Sequence, residues 1–163
     1  MHLKKTITHA EALDKARKLC AAEEKCRFDI RKKLFDWGVS SGDTEKIINE
    51  LVADKFLDEW RFARLFAVGK FHNNKWGKIK ISYELLRKNI AKNTIEDALR
   101  RIDDEEYAEV LRKELLKKQR SIPTDDNQEL KEKLHRFASS KGYEYDIIEK
   151  VLDDLIVISE AGS

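Results

Sequence analysis

A basic segment in the middle of the chain carries residue types suited to binding an anionic partner. Between Arg61 and Lys92 there are nine lysine and arginine residues but one acidic residue, Glu84. Ammonium and guanidinium groups bind phosphates and carboxylates, and Trp76 adds an aromatic surface. The alternative is a solvated helix face with Trp76 packed in the core. The predicted partner- or DNA-binding residues are Arg61, Arg64, Lys70, Lys75, Trp76, Lys78, Lys80, Arg87 and Lys88.

The sequence offers no comparable pattern for catalysis or for a metal site. Its four histidines are scattered, and its acidic runs lie where helix N-termini account for them. The phosphate-loop pattern GxxxxGK is missing, as is GxGxxG after a strand. Cys20 and Cys26 form no CxxC pair, so we expect reduced structural thiols. We therefore predict a protein that is not an enzyme and uses no cofactor.

The composition favours an all-α fold. Charged residues make up 39% of the 163 residues and hydrophobic residues 41%, with six glycines and one proline. So few turn-forming residues favour a helix-rich chain over an all-β sandwich. No run approaches the roughly 18 apolar residues that a membrane span needs, and the N-terminus lacks an apolar signal core. We expect a cytoplasmic protein without membrane contact.

Nine segments show helical spacing of apolar residues. In the fifth segment we expect Ile81, Leu85 and Leu86 to face the core, with Lys75, Lys78 and Lys80 exposed around a Trp-Gly turn. The predicted helices cover residues 9–24, 27–37, 44–54, 59–73, 78–89, 94–102, 103–118, 125–141 and 143–155, with a loop at 39–42 and a frayed tail at 156–163.

A repeated pattern divides the nine helices into three groups. The spacing 4, 4, 1 recurs in Ile30-Leu34-Gly38-Val39, Ile81-Leu85-Asn89-Ile90 and Leu134-Ala138-Gly142-Tyr143. The copies lie 51 and 53 positions apart, which is the length of three short helices. We predict three tandem three-helix repeats that pack into an elongated array, right-handed or superhelical if it curves.

Charge separates the predicted repeats, which we call the first, second and third units. The first unit, residues 1–57, has a net charge of +2; the second, residues 58–102, has +6; the third, residues 103–163, has −6. The polarity along the chain predicts that the second unit meets anionic partners, while the low net charge of the whole chain gives weak long-range attraction.

The repeat and three local segments strongly resemble the RecX regulatory proteins. The segments are residues 26–34, 56–63 and 75–81, and the resemblance extends over nearly the whole chain. Its most specific parts are the junction that contains Asp58, Glu59, Arg61 and Phe62, and the turn Lys75-Trp76-Gly77-Lys78.

The resemblance implies a non-enzymatic modulator of the RecA recombinase. RecX proteins lie in the groove of the RecA–DNA filament and limit strand exchange, ATP hydrolysis and co-protease activity. The resemblance implies that the filament is the main partner, that contacts to single- or double-stranded DNA are secondary, and that the protein is a monomer. Two alternatives remain open at this point: a stand-alone nucleic-acid-binding module, and a helical adaptor that does not depend on the basic segment.

Overall fold

The computed structural model describes residues 6–161, with side-chain surroundings given as far as residue 155. This part of the chain contains nine α-helices and no strand, so the predicted all-α fold is confirmed. The helices are α1 (His9–Ala22), α2 (Arg27–Asp36), α3 (Ser41–Ala53), α4 (Glu59–Asn74), α5 (Lys78–Arg87), α6 (Lys92–Arg100), α7 (Asp104–Gln119), α8 (Asn127–Ser140) and α9 (Tyr145–Ala161).

Side-chain caps determine where several helices begin. Asp58 begins α4 by accepting a hydrogen bond from the Arg61 amide at 3.0 Å, as its position in the sequence predicts. The third helix begins earlier than expected, because the Ser40 hydroxyl accepts a bond from the Asp43 amide at 3.3 Å. The predicted loop is therefore wrong at residues 41 and 42, which are helical.

The last helix is longer than its apolar pattern predicts. Helix α9 continues to Ala161, so the expected frayed tail is wrong for residues 156–161. Neither glycine nor proline interrupts this stretch, and the backbone can continue in the helical conformation. Residues 162 and 163 lie outside the described residues.

The repeated sequence pattern corresponds to the same helix end in each of the three units. Helices α2, α5 and α8 are followed by a residue with positive φ: Gly38 at 79°, Asn89 at 59° and Gly142 at 94°. The next amide then bonds to the carbonyl five residues earlier, which closes the helix. These bonds join Val39 to Leu34 at 3.0 Å, Ile90 to Leu85 at 3.1 Å, and Tyr143 to Ala138 at 3.2 Å.

The helices pack in consecutive groups of three, within which every helix contacts the other two. Helices α1–α3 surround one apolar core, whereas a second core runs continuously through α4–α9. Leu85 is fully buried as predicted, but Leu86 is 53% exposed, so its predicted inward orientation is wrong. Leu86 follows Leu85 by about 100° around the helix, and this rotation carries it away from the core.

Candidate partner-binding surface

Lys70, Trp76 and Lys80 form a cluster where α4 turns into α5, and we call it the Trp76 cluster. The Lys70 and Lys80 ammonium groups lie 4.9 and 4.5 Å from the centre of the Trp76 ring. The edge of this half-buried ring meets Phe66, with 6.5 Å between the ring centres. Cations stacked on an aromatic face keep their charge and lose side-chain freedom, which suits them to bind anions.

The three lysines around this turn differ from the other predicted binding residues. Among the side chains that the structure describes, no carboxylate pairs with Lys70, Lys75 or Lys80. Lys75 has a left-handed backbone with φ of 58°, and its ammonium group donates to the His72 carbonyl at 2.6 Å. The turn therefore gathers three lysines that none of the described acidic side chains compensates.

Other predicted cations are paired within the fold. Arg64 binds Asp97 at 2.9 Å, and its hydrogen bond is the main reason that the pKa of Asp97 lies below its usual value. Arg87 reaches Glu84 at 3.6 Å but stays largely exposed. Lys78 reaches Asp104 at 3.5 Å. The predicted exposure of Lys78 is wrong, since only 23% of its side chain is exposed and it packs over the Tyr107 ring.

Arg61 and Lys88 hold the first and second units together. The Arg61 guanidinium pairs with Glu24 and donates to the carbonyls of Lys55 and Phe56 at 3.2 and 3.4 Å. Lys88 donates to Asp29 at 2.7 Å. Burial alone would raise the pKa of Asp29, but hydrogen bonds from Lys88 and from Cys26 outweigh it and lower the pKa. Both predicted contact residues therefore have partners inside the chain.

The N-terminus of α5 is capped by the third unit. Gly77 and Ile79 donate their amides to the carbonyls of Lys141 and Gly142 at 2.7 and 3.0 Å. These carbonyls end α8, so the unpaired amides of one helix meet the unpaired carbonyls of another. A methyl group on Gly77 would overlap the Gly142 carbonyl and the Tyr143 nitrogen. Glycine is required here for this close approach of two backbones.

The Tyr107 hydroxyl completes this contact. It accepts a hydrogen bond from the Lys78 amide at 2.9 Å and donates one to Glu144 at 2.5 Å. Burial, followed by the bond to Glu144, raises the pKa of Tyr107 above its usual range, so the phenol stays protonated and can donate. The Tyr143 hydroxyl also crosses the contact, because it donates to the Lys75 carbonyl at 3.0 Å.

The described residues form neither a metal site nor a membrane-spanning helix. In the described part of the chain, no group of three or more histidine, cysteine or acidic residues is placed to hold a metal ion. None of the helices described is long and apolar enough to cross a membrane. Both cysteines are free thiols, and burial raises the pKa of the Cys26 thiol to about 12.

The second and third units match known protein families. Residues 58–99 match RecX, second three-helix domain, and residues 104–152 match RecX, third three-helix domain. The chain belongs to the RecX family.

This chain aligns with different shares of the length of its curated RecX relatives. Regulatory protein RecX of Clostridium tetani is 32% identical over 129 residues, which cover 78% of this chain and 59% of the relative. Regulatory protein RecX of Clostridium botulinum is 33% identical over 159 residues, covering 93% and 74%. For regulatory protein RecX of Prosthecochloris aestuarii the identity is 30% over 146 residues, covering 90% and 94%.

Solved RecX structures share the fold. The crystal structure of RecX from Lactobacillus salivarius superimposes with a TM-score of 0.83 at 21% identity, covering 91% of this chain and 97% of that one. A second crystal structure of regulatory protein RecX gives a TM-score of 0.79 at 23% identity, covering 89% and 73%. At these identities the likeness shows the three-helix-repeat fold.

The structure shows where the RecX motif residues predicted from the sequence lie and what they contact. Asp58 caps α4, Phe62 lies in the continuous core, and Gly77 makes the contact with α8. Glu59 is half-buried near Arg27, and burial raises the pKa of its carboxyl. Gly77 therefore makes a contact between units and Asp58 stabilises its own helix, while the lysines without a carboxylate partner among the described side chains, Lys70, Lys75 and Lys80, lie nearby.

Sequence reasoning missed an exposed apolar stripe on α5. Ile79, Tyr83 and Leu86 are 55%, 61% and 53% exposed. Their spacing of four and three residues was available in the sequence, since it places all three on one helix face. The spacing of Ile81 and Leu85 correctly predicts the core face of α5. The prediction that the adjacent Leu86 shares this face is wrong.

Proposed function

We propose that this RecX-family chain binds the RecA–DNA filament in the cytoplasm and lowers the filament's recombinase, ATPase and co-protease activities. It acts as a monomer and catalyses no reaction itself. RecA is the main partner, and contacts to DNA are secondary. The observation that carries the proposal is the RecX match over residues 58–99 and 104–152.

The charge distribution supports a polyanionic partner. The second unit has a net charge of +6, and its Trp76 cluster holds Lys70 and Lys80 without a carboxylate partner among the described side chains. The neighbouring third unit has a net charge of −6. A nucleoprotein filament presents phosphates together with protein side chains of both signs, and a chain with this polarity meets it in one orientation.

The test is RecA-driven ATP hydrolysis on single-stranded DNA, with this protein titrated into the reaction. We expect the rate to fall as the protein is added and to reach a plateau at saturation. An unchanged rate at saturating protein contradicts the proposal. The double variant Lys70→Glu with Lys80→Glu is expected to need at least about tenfold more protein for the same effect, because charge reversal replaces attraction with repulsion.

A matched control separates local contacts from net charge. Lys113→Glu with Lys117→Glu changes the net charge equally, but both residues are exposed on α7 of the acidic third unit. We expect this control to inhibit like the unchanged protein. Circular dichroism should report the same helix content for both double variants. Equal weakening by both would show that only the total charge matters.

A second candidate function is a stand-alone nucleic-acid-binding module, favoured by Lys70, Lys75 and Lys80, which have no carboxylate partner among the described side chains. Salt dependence distinguishes the two functions. Binding to naked DNA would weaken by about 0.7 to 0.9 log units per log unit of salt for each phosphate contacted. Co-sedimentation that is stronger with RecA filaments than with bare DNA favours the RecA proposal. Equal sedimentation with both favours the nucleic-acid module.

A further inference from the structure

The start of one helix meets the end of another at two equivalent places in the array. We call the contact of α2 with the end of α5 the first joint, and the contact of α5 with the end of α8 the second joint. Aligning Ile30 with Ile81 places Cys26 at the position of Gly77, and the helix ends align Asn89 with Gly142. The two joints therefore consist of corresponding residues.

The second joint is closed by two glycines that face each other. The amides of Gly77 and Ile79 bond directly to the carbonyls of Lys141 and Gly142. A Cβ at position 77 would overlap the Gly142 carbonyl, and a Cβ at position 142 would overlap the backbone nitrogen and Cβ of Lys80. Neither position has room for a side chain while these backbone bonds are made.

The first joint carries side chains at both of these positions, Cys26 and Asn89. Asn89 has φ of 59°, a left-handed conformation like that of Gly142, so the two helix ends are alike. Neither the Cys26 nor the Phe28 amide bonds to a carbonyl at the end of α5, although the structure describes all of these residues. The Cys26 amide donates instead to the carboxylate of Asp29 in its own helix, at 3.4 Å.

The first joint also lacks a hydroxyl that the second joint has. The N-caps of α4 and α7 align Phe62 with Tyr107, whose hydroxyl accepts a bond from the Lys78 amide at 2.9 Å. Phe62 offers no such acceptor to the equivalent Arg27 amide, which lies beside the Glu59 carboxyl. All three amides that begin α5 bond to the third unit, whereas none of the three that begin α2 bonds to the backbone of the second unit.

An open cleft of about 660 Å³ lies at the first joint. Arg27 at the start of α2 lines it, together with Asn89 and Ala91 just after the end of α5. The ion pair of Lys88 with Asp29, at 2.7 Å, spans the joint. Side chains therefore connect α2 with α5 where backbone groups connect α5 with α8.

We propose that the Cβ atoms of Cys26 and Asn89 act as spacers that hold the first joint open. Overlapping atoms destabilise a contact, so the first joint does not adopt the closed arrangement of the second while both side chains are present. The array is then not a uniform superhelix, because the first unit packs on the second at a wider spacing than the third unit does. Two side chains thus determine where the first unit lies.

The test gives the first joint the glycines of the second, as Cys26→Gly with Asn89→Gly. Glycine suits both positions, since residue 26 is an N-cap and residue 89 has a positive φ. We expect the Phe28 amide to gain the carbonyl of residue 89 as its acceptor, and its hydrogen exchange to slow by about tenfold or more. An NMR coupling through this new hydrogen bond should appear.

The matched control is Cys26→Ala with Asn89→Gly, which differs from the test variant by one methyl group at position 26. Both variants lack the thiol, so the loss of the sulfur affects them equally. We expect exchange at Phe28 in the control to stay within about twofold of the unchanged protein. Fast exchange at Phe28 in the double-glycine variant would overturn the proposal. Equal slowing in the control would also overturn it, because the Cβ at position 26 would then not keep the joint open.

The reverse substitution does not depend on folding of the double-glycine variant. Gly77→Ala places a Cβ in the second joint and should break the bond of the Ile79 amide. We expect exchange at Ile79 to accelerate by about tenfold more than exchange at Leu85, which is fully buried in the same helix. Equal acceleration at Ile79 and Leu85 would show a general loss of stability without opening of the joint, and would overturn the proposal.

Discussion

The second unit contacts its two neighbours through different chemistry. Toward the third unit, the backbone amides of Gly77 and Ile79 bond directly to carbonyls at the end of α8. Toward the first unit, the described hydrogen bonds come from charged side chains, chiefly Lys88 to Asp29 and Arg61 to Glu24, and Cys26 packs into the continuous core. Direct backbone hydrogen bonds hold the two helices at a short, defined distance, whereas the strength of an ion pair depends on pH and salt.

Burial of polar groups also differs between the two contacts. Described atoms at the first contact include one carboxylate oxygen each of Glu24 and Glu59 that is buried without a hydrogen-bond partner. At the other contact, the Tyr107 hydroxyl both donates and accepts. Unpaired buried carboxylate oxygens cost free energy. Because the second and third units share one core and direct backbone hydrogen bonds, we expect their contact to be more stable than the contact between the first and second units.

Adding one methyl group to Gly77 should damage the contact between the second and third units most. We expect Gly77→Ala to lower the free energy of unfolding by about 3 to 5 kcal/mol, which combines overpacking with the loss of two hydrogen bonds. The backbone of Gly77 has φ of −77°, which alanine adopts without strain, so none of the loss comes from the backbone conformation of residue 77 itself. Urea unfolding followed by circular dichroism measures it.

Gly69→Ala is the matched control for Gly77→Ala. Gly69 lies inside α4, and apart from its two chain neighbours and the backbone of its own helix, no atom lies within 4 Å of the position that a Cβ would take. Alanine favours a helix over glycine by roughly 0.5 to 1 kcal/mol, so this variant should be slightly more stable. Equal losses of stability in the two variants would show that the contact between Gly77 and α8 is not formed.

Removing the Tyr107 hydroxyl should destabilise the same contact less than the Gly77 substitution does. Tyr107→Phe leaves the Lys78 amide without its acceptor and Glu144 without its donor. We expect a loss of about 1 to 3 kcal/mol in the free energy of unfolding. Tyr83→Phe removes an exposed hydroxyl and should change stability by less than about 0.5 kcal/mol. A thermal melt compares the variants, and indistinguishable midpoints would contradict the bridging role of Tyr107.

The ion pair between Lys88 and Asp29 tests the contact of the second unit with the first. Lys88→Met keeps the aliphatic stem and removes the charge, and should cost about 1 kcal/mol near neutral pH. The pKa of Asp29 is lowered in the fold, so its stabilising effect is present above the unfolded pKa and disappears as the pH falls through the folded one. The difference between variant and unchanged protein should therefore vanish in acid.

The control for Lys88→Met is Lys92→Met, at an exposed lysine in the first turn of α6. A cation near a helix N-terminus is unfavourable, so its removal should be neutral or slightly stabilising. Urea titrations at several pH values and at low and high salt measure both variants. A loss for Lys88→Met that is the same at every pH would show that packing, and not the ion pair, holds this contact.

Local patterns explain how much of the fold the sequence predicted. Helical spacing located the core residues Ile81 and Leu85, and Gly38, Asn89 and Gly142 marked the three repeated helix ends. These features depend on neighbouring residues in the chain. The helix starts at Ser40 and Ala91 were less predictable, because several capping residues stand close together in the sequence.

The candidate site was less predictable because its contacts join distant parts of the chain. The number of lysine and arginine residues located the basic segment. It could not show that Arg64 would pair with Asp97 or Lys88 with Asp29. The Trp-Gly turn was recognised, yet the partner of Gly77 is 64 to 65 residues away in Lys141 and Gly142. Such long-range pairing has no local sequence signal.

Hydrogen exchange at two equivalent amides tests the difference between the two contacts most directly. Ile79 and Phe28 hold the same position in the repeat, in the first turns of α5 and α2. The Ile79 amide bonds to Gly142 across the contact, while no acceptor for the Phe28 amide is found among the described residues. Native-state exchange by NMR should show Ile79 opening only with the core, and Phe28 exchanging by local fraying. Equally fast exchange at Ile79 and Phe28 would show that the backbone contact with the third unit does not protect the start of α5.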